Sequence, residues 1–325
     1  MLNRNKLTTA YKKYNKNFAD GAIFAQSKME YEEIKSEIID IVESNNVDKD
    51  HILLLDLGAI FSYYLSKWKE DVLVNGGQGI DGLKQMQITL FYQCVSQELY
   101  KVRYPDMMVD YTFKEIIATL IHFTMYGWEK EERVLFDFIA DHLDEASISA
   151  NDWNKHTWFL LELYLRFRNK TILGINEDVY VTVSEEFMEC EVENDLIPED
   201  LDIYGEVLER WTTPDEEEIA ALISKMIIYH SERASELGKS IEFGDYRYGF
   251  YPYEILFLLH VRKKQGLPVP NQFNELLMNT PEANVVFEDP EPYPVSDPNL
   301  EQIVNFYRKN YPDYAPNKYE DELFQ

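Results

Sequence analysis

The sequence has few of the features that mark secreted, nucleic-acid-binding or membrane-spanning proteins. Its only two cysteines, Cys94 and Cys190, show no motif spacing, which favours thiols in a reducing compartment. The 31 basic residues are outnumbered by 59 acidic ones, a balance that repels nucleic acid and anionic membranes. No window approaches 18 uninterrupted apolar residues, and the basic N-terminus lacks the apolar stretch of a secretion signal. These absences predict a cytoplasmic protein that binds neither nucleic acid nor membrane.

Motifs of catalysis and metal binding are also scarce. The segment Gly77–Gly82 matches G-x-G-x-x-G, but no βαβ units surround it, so an interhelical loop is the better interpretation. Asp152 and His156 share a helical spacing, whereas a metal ion needs three or four converging ligands. His122 and His260 lie in apolar helices, as core histidines do. The sequence therefore predicts no catalytic residue, no cofactor and no bound metal.

Apolar periodicity is what the sequence has in abundance. Glycine and proline number 13 each, and apolar residues make up 45% of the chain. Apolar residues recur at helical spacing along most of the sequence, which predicts an all-α fold of stacked helix pairs without a central sheet. Val179–Val183 alternates as a strand does, but it could equally be an extended linker before the acidic stretch. The predicted helices are one within 1–27, then 31–45, 51–71 (buried nearly all round), 83–103, 111–126, 129–143, one capped by Asn151 or Asp152 through 168, 213–237, 253–265 and 300–311.

Three parts are expected along the chain. Residues 1–104 form an N-terminal helical part, and residues 105–280 form a larger C-terminal helical part. Residues 281–325 begin with a proline-rich acidic segment and end in a helix. The boundaries are placed where proline or loss of periodicity interrupts the helices.

The most unusual stretch runs from Ser184 to Glu218. It carries fifteen acids and one base, so its net charge of −15 + 1 = −14 is half of the chain's −28. Apolar residues at helical spacing within it predict a folded acidic surface over a core: Leu201, Tyr204, Leu208 and Trp211. The acidic residues predicted to bind a partner are Glu185, Glu186, Glu189, Glu193, Asp195, Glu199, Asp200, Asp202 and Glu206.

Two interpretations of this acidic stretch are open. A solvated, solubilising face is the commonest outcome for such a composition. Alternatively, carboxylates fixed on a helical surface resemble a phosphate backbone and could occupy the cationic groove of a nuclease. In that case apolar or aromatic anchors would supply most of the binding energy.

Two aromatic-rich segments carry a resemblance to a known class of proteins. One is Trp158–Arg168, and the other is Gly249–Arg262, which leads into Gln265-Gly266-Leu267-Pro268-Val269. Their order resembles that of the all-helical immunity proteins of bacterial polymorphic-toxin systems, including families that guard against PoNe-type DNases. The resemblance covers about residues 110–280. Where those families commonly have tryptophan, Tyr251 follows Phe250 here.

The resemblance implies a cytoplasmic antitoxin without enzymatic activity that binds one cognate effector toxin. Together with the charge, it favours a stoichiometric inhibitor that occludes a basic toxin domain, expected to be a nuclease such as a DNase. Two other classes stay open. One is a helical metal-dependent hydrolase, which would need three converging His, Asp or Glu side chains; the other is a helical-repeat scaffold for other proteins.

Overall fold

The computed structural model describes residues 3–101, 112–143, 152–172, 178–189, 197–239, 241–318 and 323–325. None of these residues lies in a β-strand, which confirms the predicted all-α fold. The described helices are α1 Arg4–Ala19, α2 Ala22–Glu43, α3 Asp50–Lys69, α4 Asp81–Lys101, α5 Phe113–Met125, α6 Glu129–His142, α7 Lys155–Arg168, α8 Val179–Glu189, α9 Ile203–Arg210, α10 Glu216–Ala234, α11 Tyr253–Lys264 and α12 Pro298–Asn310. A π-helical segment spans Glu70–Val74, and short 3₁₀ turns span Val47–Lys49, Leu277–Asn279, Glu282–Asn284 and Ala315–Lys318.

The chain divides into two compact units. Unit 1 comprises residues 1–16 and 150–286, and unit 2 comprises residues 17–149 and 287–325. The division therefore falls in the last turn of α1 and does not coincide with the predicted boundaries at 104/105 and 280/281. This division could not be predicted from local sequence patterns, because each unit is assembled from segments that are far apart in the chain.

Unit 2 is built around α3. This helix packs against both α2 and α4, and α12 packs on all three. Leu53, Leu57 and Ile60 are fully buried, as predicted for a central helix, although Leu55 is 57% exposed. A capping box at Thr112 and Glu115 begins α5, which packs against α4 and α6.

Unit 1 is built around α7. This helix contacts α8, α9 and α11, and α10 packs against α9 and α11. The first helix joins this unit through aromatic contacts, with the rings of Tyr11 and Tyr14 at 5.1 and 5.0 Å from that of Phe250. The Tyr14 hydroxyl also donates a 2.7 Å hydrogen bond to Glu282, so the N-terminal helix is anchored to residues late in the chain.

Neither interpretation of Val179–Val183, a strand or an extended linker, is correct, because these residues form the first turns of α8. A strand would place residues 179, 181 and 183 on one face, whereas a helix groups residues four apart. Val179 and Val183 are buried, and Val181 between them is 40% exposed. Packing of α8 within unit 1 therefore overrides the β-propensity of the valines.

The starts of α2 and α7 differ from the predictions for a visible reason. α2 begins at Ala22 rather than at Tyr31, since Gly21 adopts a left-handed conformation that separates it from α1. α7 begins after Asn154, not after Asn151 or Asp152. The buried Asp152 instead accepts hydrogen bonds from the Asn154 backbone and the Thr157 hydroxyl.

Candidate partner-binding surface

The helix α8 carries the first part of the acidic stretch, and buried contacts fix it to unit 1. Val179 and Val183 pack inward. The Glu162 carboxylate on α7 is 2% exposed and accepts a 2.8 Å hydrogen bond from the backbone N–H of Tyr180. The Tyr180 hydroxyl donates to the carbonyl of Pro198 at 2.6 Å. The start of α8 is thus tied both to α7 and to the segment that precedes α9.

The outer face of α8 combines acidic and apolar side chains. Glu185, Glu186 and Glu189 are exposed, and none forms an ion pair with a described residue. Val181 is 40% exposed and Met188 is 66% exposed. These two residues are seven positions apart, which places them two turns apart on one side of the helix. The exposed surface of α8 therefore offers apolar area bordered by carboxylates.

The segment from Ile197 to Trp211 carries the next acidic side chains on a buried apolar base. Glu199, Asp200, Asp202 and Glu206 are all exposed. The predicted apolar stripe beneath them is confirmed, since its members are at most 9% exposed. The buried residues of this segment are Ile197, Leu201, Ile203, Tyr204, Val207, Leu208 and Trp211.

Basic residues of unit 1 pair with part of this charge. Lys155 lies 2.6 Å from Asp200 and 3.6 Å from Asp202, and Lys225 lies 2.5 Å from Glu206. The hydrogen bond from Lys155 lowers the pKa of Asp200 below its usual value. Such exposed ion pairs stabilise the fold little.

The N-terminus of α10 completes the described acidic surface. The Asp215 side chain accepts hydrogen bonds from the backbone N–H groups of Glu217 and Glu218. Glu218 also accepts from the Thr213 hydroxyl at 2.6 Å and pairs with Arg210 at 2.9 Å, which together lower its pKa. Acidic side chains are favourable in the first turn because the helix dipole is positive there.

Seven of the nine residues predicted to bind a partner are thus described, and all seven are exposed on unit 1. The other two, Glu193 and Asp195, lie outside the described residues, as does Cys190. Exposure alone is shared by a binding surface and a solvated face. The assignment of these residues to partner binding therefore stays a prediction.

Sequence reasoning missed a buried network of histidine and glutamate in unit 1. His156 Nδ1 lies 2.5 Å from Glu242, and His156 Nε2 lies 2.6 Å from the Tyr253 hydroxyl. Glu242 also accepts from the Tyr229 hydroxyl at 2.6 Å, and these bonds with His156 and Tyr229 oppose burial and lower its pKa. His156 and Glu242 are 86 positions apart, so spacing could not reveal the pair.

A second pair lies beside the first. His230 Nδ1 is 2.8 Å from Glu254, and the His230 ring stacks on Phe243 with centroids 3.6 Å apart. The His156 ring contacts the same phenylalanine at 4.3 Å. His156 and His230 are at most 1% exposed on their side chains, so the network is closed to a substrate and cross-links the core.

The remaining histidine and glycine predictions have mixed outcomes. His122 is fully buried as predicted, and burial lowers its pKa to about 4, whereas His260 is only half-buried. The glycine-rich segment is an interhelical loop up to Ile80, and its last two residues, Asp81 and Gly82, begin α4. Val72–Val74 before it belong to the π-helical segment rather than to a strand. Across the described residues, no group of three His, Cys, Asp or Glu side chains is placed to hold a metal ion.

Comparison of the chain with known protein families, with curated proteins and with solved structures finds no match in any of the three. Within the described part of the chain, no helix has both the length and the apolar character needed to cross a membrane.

Proposed function

We propose that this chain is an immunity protein that binds and neutralises one cognate bacterial effector toxin in the cytoplasm. It acts by stoichiometric occlusion: the acidic surface of unit 1 covers a basic toxin domain, such as that of a nuclease, and no bond is made or broken. The proposal combines the resemblance of the aromatic segments to helical immunity proteins with the charge of residues 184–218.

One structural observation supports the proposal more than any other. The exposed carboxylates of α8 lie beside the exposed Val181 and Met188, on a helix that buried contacts hold in place. Single exposed apolar side chains also occur elsewhere, as at Met29 and Leu55, so the supporting feature is that apolar and unpaired acidic side chains share one helix face. Protein interfaces combine apolar anchors with a polar rim, and complementary charge speeds their association.

Co-expression tests the proposal directly. Toxin genes from the source genome are expressed in a susceptible bacterium with and without this chain, and survival is scored. We expect protection against one toxin and a 1:1 complex on size-exclusion chromatography. Protection without a complex, or a turnover that consumes the toxin or its product, would contradict stoichiometric occlusion and favour an enzyme.

Charge reversal locates the surface. Glu185→Lys, Glu189→Lys and Glu199→Lys together change exposed residues that form no described ion pair, so the fold should be retained. We expect this triple variant to associate with the toxin at least about tenfold more slowly at low salt and to lose protection.

A matched control uses the exposed face of α2. Glu33→Lys, Asp40→Lys and Glu43→Lys change the net charge by the same six units. If long-range attraction alone matters, the two triple variants will behave alike. Normal protection by the Glu185, Glu189 and Glu199 triple variant at equal expression would identify the acidic stretch as a solvated face.

A further inference from the structure

Unit 2 contains a cleft that the proposed function does not use. It lies between α4 and α12 and is bordered by residues 294–296 on one side and by Leu323–Gln325 on another. Its volume is about 460 Å³, within the range of small-molecule sites. Ile88, Leu300 and Val304 contribute apolar surface, so the cleft could enclose the body of a small organic molecule.

The positive charge in this cleft is not neutralised by a described residue. Arg308 lines the cleft and hydrogen bonds to the Tyr92 hydroxyl, but it forms no ion pair with a carboxylate among the described residues. Burial raises the pKa of Tyr92 to about 12, although Arg308 opposes the shift. Tyr92 is therefore a neutral phenol at physiological pH.

The polar groups of the cleft are arranged along one face of α12. Glu301, Asn305 and Arg308 follow a helical spacing and all line the cleft. Seven residues separate the acid from the base, which is about 10 Å along a helix. A single negative charge is favourable at Arg308, whereas a larger negative charge would also be repelled by Glu301.

We propose that this cleft binds a small organic monocarboxylate with an apolar body. The guanidinium of Arg308 donates to the carboxylate as a planar fork, and the Tyr92 hydroxyl lies beside the same group. The apolar part of the ligand packs against Ile88, Leu300 and Val304. The proposal rests on none of the residues of the acidic surface and is independent of toxin binding.

Phenylacetate is a suitable probe, measured by ligand-observed NMR titration against the full chain. We expect saturable binding, at least about tenfold tighter than that of phenylacetamide, which has the same shape and no charge. Arg308→Gln should weaken phenylacetate binding about tenfold or more and leave phenylacetamide unchanged. Thermal unfolding of the variant verifies that it is folded.

Two comparisons complete the test. Arg133→Gln removes the same charge from an exposed position on α6 that does not line the cleft, and it should leave binding unchanged. Phenylphosphonate, a dianion at about pH 8 by the usual second pKa of phosphonates, should bind more weakly than phenylacetate. The proposal is overturned if phenylacetate shows no saturable binding, binds no tighter than phenylacetamide or phenylphosphonate, or binds Arg308→Gln and wild type equally.

Discussion

At the scale of single residues, the carboxyl group of Glu162, which fixes α8, also makes the stability of the fold depend on pH. Burial raises the pKa of Glu162 to about 7 against an ordinary value of 4.5, although the N–H of Tyr180 acts in the opposite direction. Below pH 4.5 both the folded and the unfolded chain hold this proton. Between about pH 4.5 and 7 only the folded chain does, so its stability falls as the pH rises through this window.

Glu162→Gln should remove this loss, because glutamine can still accept the hydrogen bond from Tyr180 and never ionises. We expect the free energy of unfolding of the variant, relative to wild type, to increase by about 2 kcal/mol from pH 5 to pH 8. Urea denaturation at the two pH values measures the difference. Glu185→Gln, an exposed change on α8, is the control. Parallel pH profiles of Glu162→Gln and wild type would contradict the prediction.

At the scale of elements, the start of α12 depends on a carboxylate that also joins two other helices. Asp297 is 1% exposed and accepts hydrogen bonds from the backbone N–H groups of Asn299 and Leu300, both at 2.9 Å. It also accepts hydrogen bonds from the hydroxyls of Tyr31 on α2 and Tyr64 on α3, at 2.5 and 2.6 Å. One side chain therefore caps α12 and ties it to the centre of unit 2.

Asp297→Ala should lower the free energy of unfolding by about 3 kcal/mol, because it removes a cap and leaves two buried hydroxyls without this acceptor. The comparison is Asp215→Ala at the exposed cap of α10, expected to cost about 1 kcal/mol. Denaturant unfolding measures both. Equal losses in the two variants would mean that the tyrosine hydrogen bonds add nothing to stability.

The elements also show how far a sequence of this kind can be interpreted. Periodicity predicted the buried stripe of Leu201, Tyr204, Leu208 and Trp211, because a helix buries residues three and four apart whatever it packs against. It failed at α8, where two valines four residues apart fit both a helix and a strand.

Contacts between distant segments were beyond such reasoning. Asp297 was predicted to lie in the proline-rich acidic segment, yet it contacts tyrosines more than 200 residues earlier. The pairing of His156 with Glu242 is of the same kind, since neither residue carries a local signal for the other. Tertiary packing selects these partners, and neither composition nor residue spacing predicts which distant residues will meet.

At the scale of the whole molecule, charge is concentrated rather than evenly spread. Residues 184–218 hold half of the net charge, and the bases that pair with it in unit 1, such as Lys155 and Lys225, reach only some of its carboxylates. Like charges held close together destabilise the folded chain, and dissolved salt screens them over a distance of about 10 Å at 0.1 M.

Raising sodium chloride from about 0.02 M to about 0.5 M should therefore raise the thermal midpoint of unfolding, because screening relieves repulsion within the acidic surface. Both triple lysine variants, the one at Glu185, Glu189 and Glu199 and the control on α2, have a net charge of −28 + 6 = −22. The first should lose more of the salt response, since it removes charges from the densest region. Circular dichroism melting at several salt concentrations measures this response for wild type and both variants. Equal responses of the two triples would show that the total charge governs stability, and that the local density of residues 184–218 adds nothing to it.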